Sequence, residues 1–458
     1  MKNIIKYKHA VNTKQKIFIK FIEFLNIKKI DYCVLGVNNN FPINIKSDID
    51  LFIDFKDKKN LFNLINKFCD LHKLNVINIL QHEINSYYWV IAFLNTSKKI
   101  EFIQLDICNE YIVNNYRFLK FNNFKKKTTI KKNKIKFRVL KPEFELTYYL
   151  LKKINKLDVD INSLNYIFYL FKKNNSPSLP ELQKHFSSKY YFLIIRALKK
   201  NNFSFFKTNS FNLRKNLYKK KFIQITDFTN IFKLYKERFF NHTGLFLVFL
   251  GCDGSGKSTI IKELSKVFTS KLSNPCSGAF RKIRLFHWVP ISKFQNIKTN
   301  INNPHQQKDY NFFISLIKLI YLFIIFLSGY IINIKRYLIS STLVMHDRSV
   351  HDLLIDPKRY RIKTSKFIIK LIIKLLPKPD LIFILDASIL KLYKRKKEVS
   401  VNILKKLKLD YLKSKKDFVN THIVNTNQNF NSTEKKVINL ILNHMIIKIK
   451  LIMKKTTS

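Results

Sequence analysis

Two glycines, a lysine and a serine follow the spacing GxxxxGK[ST] at Gly251, Gly256, Lys257 and Ser258. Glycines in this pattern let the backbone curl so that its N–H groups point at phosphate oxygens, and the lysine neutralises their negative charge. The serine hydroxyl can hold Mg²⁺, and the N-terminus of the following helix adds positive potential. The pattern predicts a loop that binds ATP and Mg²⁺ through the residues Gly251, Asp253, Gly254, Ser255, Gly256, Lys257, Ser258 and Thr259.

Charged and aromatic residues beyond this loop could act on the same phosphates. Asp347 ends an apolar run, where a carboxylate can organise Mg²⁺ or its waters, and the guanidinium of Arg348 matches a phosphate bidentately. Arg395 could stabilise charge as a phosphoryl group moves. The alternatives are an exposed ion pair for Asp347 with Arg348 and a solvated helix face for Arg395. His287 and Trp288 could line an acceptor pocket or pack as a core pair, and the sequence leaves both open.

A second group of acidic residues is spaced for metal binding. Asp48 and Asp50 lie two residues apart in a segment of alternating hydrophobicity, so both side chains project from one face of a strand. Asp106, at the end of a later apolar segment, is a candidate third carboxylate. Paired carboxylates can hold the metal ions needed for nucleotidyl transfer. The alternative is a degenerate binding or regulatory domain.

The elements that must position the loop follow from hydrophobic periodicity. Residues 245–250 form a continuous apolar run, as in a strand buried on both faces of a parallel sheet, and residues 257–268 follow as a helix. Short apolar runs at 341–345 and 381–385 are each followed within two residues by an aspartate. This alternation predicts a doubly wound α/β domain, with helices flanking a parallel sheet, over residues 244–458.

The rest of the chain has a different pattern, and 458 residues are enough for two or three domains. Residues 1–140 are predicted to form an α+β domain, with β-rich runs at 87–94 and 99–107 as neighbouring strands. Residues 141–243 are predicted to form a helical domain and connector, with helices that include 179–186 and a basic stretch at 214–240.

The formal net charge is +55, from 85 Lys and Arg residues against 30 Asp and Glu residues. Such a charge suits nucleic acid or an anionic membrane surface. The lysines, however, are spread over all regions, which favours a biased composition over a dedicated nucleic-acid-binding arm. The chain has five cysteines without CxxC spacing, and this pattern is typical of a reduced, cytoplasmic protein without a structural metal.

An apolar segment at residues 319–332 could be mistaken for a membrane span. It runs between Lys318 and Lys335 and is shorter than the roughly 20 residues that a spanning helix needs. A buried core helix is therefore the favoured prediction. A helix that touches a membrane peripherally is the alternative.

The residues around the loop resemble the thymidylate kinase family. Residues 253–259 read DGSGKST, where that family has DGxGKST, and Asp-Arg follows a strand at 347–348. The segment PDLIFILD at 379–386 and the basic residues at 392–396 are similar to further family motifs in the same order. The resemblance covers residues 244–445. It implies a P-loop kinase of nucleoside monophosphates that uses ATP and Mg²⁺, with an aspartate of the loop facing the acceptor's sugar hydroxyl.

The segment after the Asp-Arg pair departs from most of these kinases, because Ser349 stands where they have an aromatic residue. Residues 347–361, with additional charges, look more like thymidylate-kinase-like proteins of bacterial surface-glycan loci. This resemblance implies an acceptor that is a nucleotide or a glycan-pathway metabolite. The candidate acceptor-binding residues are Asp253, His287, Trp288, Arg348 and Arg359.

Residues 10–155 resemble the nucleotidyltransferase superfamily of the DNA polymerase β type. A strand, Gly36, the segment SDIDL at 47–51 and Asp106 come in that order. The resemblance implies an α+β domain that binds metal ions through Asp48, Asp50 and Asp106.

Together these patterns predict a phosphotransferase that transfers a phosphoryl group from ATP to a small-molecule acceptor. The first alternative is a nucleotidyltransferase that acts through the N-terminal carboxylates. The second is a non-catalytic, membrane-associated scaffold. The sequence leaves the oligomeric state open, a homodimer included.

Overall fold

The computed structural model describes residues 13–457, with gaps at 38–40, 44, 46, 98, 115, 121–123, 133–135, 175–177, 220–224, 270–277, 292–304, 306 and 397–398. The chain divides into two compact units. The first unit is Met1–Glu237 with Leu451–Ser458, and the second unit is Arg238–Lys450.

The elements up to residue 240 mix strands and helices. The strands are β1 (Tyr32–Val34), β2 (Ile49–Ile53), β3 (Asn75–Glu83), β4 (Ser86–Leu94), β5 (Ile100–Cys108), β6 (Glu110–Val113), β7 (Tyr116–Lys120), β8 (Thr128–Lys132) and β9 (Lys136–Leu140). The helices are α1 (Lys14–Ile27), α2 (Lys58–Leu71), α3 (Phe124–Lys127), α4 (Pro142–Lys156), α5 (Ile161–Lys173), α6 (Pro180–Gln183), α7 (Ser188–Lys199), α8 (Phe203–Lys219) and α9 (Ile225–Phe240).

A mixed sheet of seven strands, ordered β3-β4-β5-β2-β1-β9-β8, forms the centre of the first unit. Strand β2 runs parallel to β5, so Asp50 and Asp106 are neighbours across this pair. One buried cluster joins the sheet to the helices, from Phe52 in β2 through Leu151 in α4 to Leu213 in α8. The helices α4–α8 therefore share a core with the sheet.

Two predicted helical segments differ in length from the structure. The segment predicted as a helix at 179–186 contains only the single turn of α6, although Leu182 and Phe186 are buried. The next helix, α7, begins after Ser187, whose backbone is extended and therefore does not continue the helix of α6. The predicted basic connector at 214–240 is divided between the end of α8 and α9.

The elements after residue 240 alternate between strand and helix. The strands are β10 (Leu245–Leu250), β11 (Lys282–His287), β12 (Thr342–Asp347), β13 (Leu381–Asp386) and β14 (Thr421–Asn425). The helices are α10 (Lys257–Phe268), α11 (Phe312–Gly329), α12 (Arg336–Ile339), α13 (Asp352–Ile355), α14 (Lys366–Leu375), α15 (Ile389–Arg395), α16 (Val401–Lys413) and α17 (Phe430–Thr457).

The second unit is built on a parallel sheet of five strands, ordered β11-β12-β10-β13-β14. Every residue of the central strand β10 is buried, which is the burial that a continuous apolar run predicts. The predicted parallel sheet with flanking helices is confirmed. Because parallel strands end at the same edge, the registers place Phe249 beside Asp347 and Leu250 beside Ile384.

An apolar helical stretch at Phe312–Ile339 departs from the prediction of a buried core helix. It is 28 residues long, joins α11 to α12 through a π-helical turn, and is long and apolar enough to cross a membrane by length and composition. Only 28% of its most apolar 18-residue window is buried. The prediction was wrong for two reasons. Residues 312–318 and 333–339 make the helix longer than the apolar segment alone. Apolar side chains lie on all faces of the helix, whereas only one face packs against the protein.

The ring of His346 in β12 is buried among aromatic side chains. It packs against Phe246 and Phe286, with ring centroids 5.2 Å apart in both cases. Neither ring nitrogen has a hydrogen-bond partner among the described residues. Burial, with smaller effects of His351 and His287, lowers the pKa of His346 to about 3. The folded protein therefore keeps this imidazole neutral well below pH 6.

We expect His346→Phe to reduce the acid sensitivity of folding. An unfolded histidine gains a proton below its pKa of about 6.5, whereas folded His346 does not, so wild-type stability falls as the pH drops through this range. Between pH 7 and pH 5 the loss from this residue is about 2 kcal/mol. Urea denaturation of the wild type and the variant at pH 7 and pH 5 measures this loss of unfolding free energy. An equal loss in the variant and the wild type would contradict the assignment.

Candidate functional site

The phosphate-binding loop connects the end of β10 to the start of α10. Gly251 has a φ of 142° and Gly256 a φ of 93°, both in the region that favours glycine. A Cβ atom on Gly251 would lie 2.7 Å from the carbonyl oxygen of Leu385 in the adjacent strand β13. Glycine at these positions therefore allows the loop to curl closely against the sheet.

Lys257 is the first residue of α10, and it is buried under the loop. Its Nζ atom donates hydrogen bonds to the carbonyl oxygens of Gly251 and Cys252, at 2.9 and 3.1 Å. Burial, and next the charge of Arg348, lower the pKa of Lys257 to about 8. Negative phosphate oxygens nearby would favour the ammonium form, so this lysine suits a polyanionic ligand.

Ser258 and Asp347 offer oxygen atoms that fit Mg²⁺. The Ser258 hydroxyl donates a hydrogen bond to Asp347 Oδ2 at 2.9 Å. The other carboxylate oxygen, Oδ1, is buried and has no hydrogen-bond partner among the described residues. A hydroxyl and a carboxylate oxygen without a partner are hard oxygen ligands of the kind that Mg²⁺ prefers.

Asp253 lies between two guanidinium groups. Arg348 donates to Asp253 Oδ1 and Arg359 donates to Oδ2, both at 2.6 Å. Burial opposes ionisation of this carboxyl, but the two arginines hold its pKa well below the usual range. Asp253 is therefore an ionised residue whose two oxygens are already bound by protein groups.

Arg348 is the centre of a buried network. Its guanidinium also donates to Asp352, which is fully buried, and to the Tyr411 hydroxyl at 3.1 Å. Asp352 accepts further hydrogen bonds from Tyr411 at 2.7 Å and from Tyr360 at 3.1 Å. With three protein partners, Arg348 has the geometry of a positioning residue that orients Asp253.

One cavity of about 760 Å³ contains most of the residues that the sequence singles out. Those that line it are Asp253, Gly254, Ser255, Gly256, Lys257, Ser258, Thr259, His287, Asp347, Arg348, Arg359 and Arg395. A cavity of this volume accommodates a small-molecule ligand. Its cationic side chains outnumber its carboxylates, which suits a phosphate-bearing ligand.

Arg395 reaches the cavity from α15. Its guanidinium donates to the carbonyl oxygen of Gly254 at 2.9 Å, and the side chain is exposed. Glycine at position 254 allows this close approach, since a Cβ atom there would lie 3.2 Å from the Arg395 Cβ. Arg395 is thus held at the loop while its outer side remains open to the cavity.

The adjacent side chains of His287 and Trp288 have different environments in the structure. His287 is exposed and lines the cavity. The Trp288 ring stacks on Tyr360, with centroids 4.1 Å apart and planes 13° from parallel, and meets the edge of Phe326. An acceptor ring cannot stack on the same face of Trp288 while Tyr360 covers it.

Sequence reasoning missed several residues of the cavity wall. They lie in or next to α15, or between the end of β14 and the first turn of α17: Lys391, Lys396, Thr426, Gln428, Phe430 and Thr433. The lysines could have been assigned to the cavity from the sequence, because Lys396 belongs to the basic segment at 392–396 and Lys391 directly precedes it. The others needed the placement of β14 beside β13, since the ends of parallel strands meet at one edge.

The first unit brings together the three predicted carboxylates. One ligand atom from each of Asp48, Asp50 and Asp106 lies within 4.8 Å of the others. Lys152 in α4 donates to Asp50 at 2.6 Å, and His82 Nε2 lies 3.5 Å from Asp106. The cluster has the carboxylate chemistry of a divalent-cation site, with an ammonium group already bound to one member.

The carboxylates affect one another's ionisation. Burial, and next the charges of Asp50 and Asp106, raise the pKa of Asp48 to about 6, although Lys152 opposes the shift. A divalent cation competes with the proton for a carboxylate. Cation affinity at this cluster should therefore increase as the pH rises through about 6.

No protein-family model matches the chain, and no curated protein matches it. Among solved structures, the chain is similar to thymidylate kinase from Ehrlichia chaffeensis, with 18% sequence identity and a TM-score of 0.31. The match covers 43% of this chain and 98% of that chain.

Proposed function

We propose that the second unit is a phosphotransferase of the nucleoside-monophosphate-kinase type that uses ATP and Mg²⁺. The observation that carries the proposal is the single cavity lined by both the loop around Lys257 and the arginines Arg359 and Arg395. Phosphoryl transfer depends mainly on positioning and on stabilising charge, and these residues supply both.

Each residue has a distinct task in this proposal. Lys257 and the N–H groups of the loop would bind the donor phosphates, and Ser258 with Asp347 would hold Mg²⁺. Bound Mg²⁺ would neutralise charge on the phosphate oxygens. Arg395, next to the Gly254 carbonyl, would stabilise the phosphoryl group during transfer, and Arg348 would keep Asp253 in place.

The acceptor in this proposal is a phosphorylated small molecule, either a nucleotide or a glycan-pathway metabolite. Arg359 is less buried than Arg348 and lines the cavity, so its guanidinium can bind an acceptor phosphate. His287 is exposed in the same cavity and offers a further hydrogen-bonding group.

The test is phosphoryl transfer from labelled ATP to a panel of nucleoside monophosphates and sugar phosphates. We expect a Mg²⁺-dependent product with one added phosphate, and Asp347→Asn should raise the Mg²⁺ requirement about tenfold or more. Asp309→Asn, at an exposed aspartate, is the matched control. A purified protein that binds no ATP would overturn the proposal, and an unchanged Mg²⁺ requirement would exclude Asp347 as a ligand.

A second candidate function, nucleotidyl transfer in the first unit, is favoured by the convergence of Asp48, Asp50 and Asp106. Carboxylates at this spacing can hold divalent cations for transfer of a nucleotide to an acceptor hydroxyl or phosphate. This activity and the kinase activity would use different residues, so variants can separate them.

We expect the double variant Asp48→Asn/Asp50→Asn to lose any pyrophosphate release from a nucleoside triphosphate in the presence of Mg²⁺ or Mn²⁺. Lys257→Met should leave this release unchanged, and Asp54→Asn, at an exposed aspartate just after the opposite end of β2, is the control. Pyrophosphate release that survives the double variant would show that the cluster is not the site.

A further inference from the structure

The second unit has a helix whose outer face is apolar and exposed. Within Phe312–Ile339, the side chains of Phe313, Ile317, Ile320 and Ile324 are between 51% and 75% exposed. They recur at the three- and four-residue spacing of one helix face. Exposed apolar surface of this extent is costly in water, and it usually marks a docking site.

The neighbouring helix α14 has the same character. It packs with α11 in one buried cluster through Ile369 and Leu319, while Phe367, Leu371 and Leu375 are exposed on its other side. These three residues are four positions apart, so they also share one helix face. Two helices that touch each other therefore both leave an apolar face uncovered.

The charged residues within these two helical segments are all positive. Neither Phe312–Ile339 nor residues 362–379 contains an aspartate or a glutamate. Helix α14 contributes the exposed lysines Lys366, Lys370 and Lys374 among its apolar residues, and Lys370 is paired with Asp417. Apolar side chains interspersed with lysines are typical of helices that lie in the interface of an anionic membrane.

The opposite face of α11 is fixed to the protein, which argues against a spanning helix. Leu319, Leu322 and Phe326 are buried in the cluster with α14. Lys318 donates to the carbonyl oxygen of Tyr360 at 2.8 Å, and Asn333 donates to that of Pro290 at 2.8 Å. A spanning orientation would remove these groups from their partners, whereas contact through the outer face alone keeps them.

We propose that the outer faces of α11 and α14 dock onto the surface of an anionic lipid bilayer. The apolar side chains enter the boundary between headgroups and acyl chains, and the lysines bind lipid phosphates and carboxylates. The surface would hold the second unit on a membrane. This inference does not depend on the proposed kinase activity, because it uses none of the residues of the cavity.

Flotation of the purified full-length protein with lipid vesicles tests the proposal. We expect binding to vesicles that contain about 30 mol % anionic lipid, weaker binding to neutral vesicles, and weaker binding again at high salt. The variant Ile317→Ser/Ile324→Ser/Phe367→Ser should lose about tenfold in vesicle affinity or more. The variant Lys366→Gln/Lys374→Gln should bind anionic vesicles more weakly than the wild type does, and its affinity for neutral vesicles should change little.

The matched control is Phe228→Ser/Phe232→Ser, which removes two equally exposed apolar residues from α9. We expect this variant to float like the wild type. Lys257→Met should also float like the wild type, because the surface does not include the cavity; a failure of the kinase proposal would therefore not change the flotation result.

Equal loss of vesicle binding in the α9 variant, or no vesicle binding by the wild type, would overturn the proposal. Resistance to alkaline extraction from the vesicles would overturn it in favour of a spanning helix. A wild-type dimer that the triple variant dissociates, without vesicle binding, would identify a second copy as the partner.

Discussion

Lys257→Met is expected to reduce phosphoryl transfer from ATP roughly 10²- to 10³-fold or more, because it removes the buried charge that binds the donor phosphates in the proposed function. The ammonium is enclosed by the loop and donates to the carbonyl oxygens of Gly251 and Cys252. Methionine keeps the length and the apolar stem of the side chain but cannot bind phosphate. Isothermal titration with ATP and single-turnover transfer with labelled ATP measure the two effects.

The stability of this variant should not fall, since removing a buried ammonium whose pKa is lowered to about 8 relieves a desolvation cost. Lys262→Met, at an exposed lysine of the same helix, is the control and should behave like the wild type. ATP binding that is unchanged in Lys257→Met would contradict the assignment of the loop.

Arg348→Leu is expected to lower the free energy of unfolding by about 3–5 kcal/mol, because it leaves a buried carboxylate without its cation. Asp352 is fully buried, and its neighbours Tyr360 and Tyr411 can donate hydrogen bonds but cannot neutralise its charge. Chemical denaturation at neutral pH measures the loss.

A second substitution distinguishes this mechanism from a simple loss of packing. In the double variant Arg348→Leu/Asp352→Asn the buried charge is gone, so a large part of the lost stability should return. A double variant that is less stable than Arg348→Leu alone would contradict the account. Arg361→Leu, at a guanidinium that stacks on Tyr310 outside this network, should cost much less.

Local patterns in the sequence predicted the core of the second unit well. The run of six apolar residues in β10 and the helix after Lys257 begin and end where the pattern places them, because a strand buried on both faces excludes polar residues. The spacing of Gly251, Gly256 and Ser258 is equally local. Such features are determined by residues that are close together in the sequence, so the sequence alone is enough to predict them.

Several contacts between distant residues could not be predicted, because no motif connects their positions. The partners of Arg348 include Tyr411, 63 positions away, and those of Asp50 include Lys152, 102 positions away. Nothing in the spacing of these residues indicates that they meet. The exposed face of α11 was missed for a related reason, since an apolar helix surface shows no periodicity that separates a covered face from an open one.

The order of strands in the second unit has a consequence for synthesis on the ribosome. Strand β10 is flanked by β12 and β13, which follow it late in the chain. A nascent chain therefore presents an apolar strand with both hydrogen-bonding edges open until Asp347 and then Asp386 have been translated. Unpaired edges of this kind invite association with other chains, so this interval is the one in which the newly made protein is most exposed to aggregation.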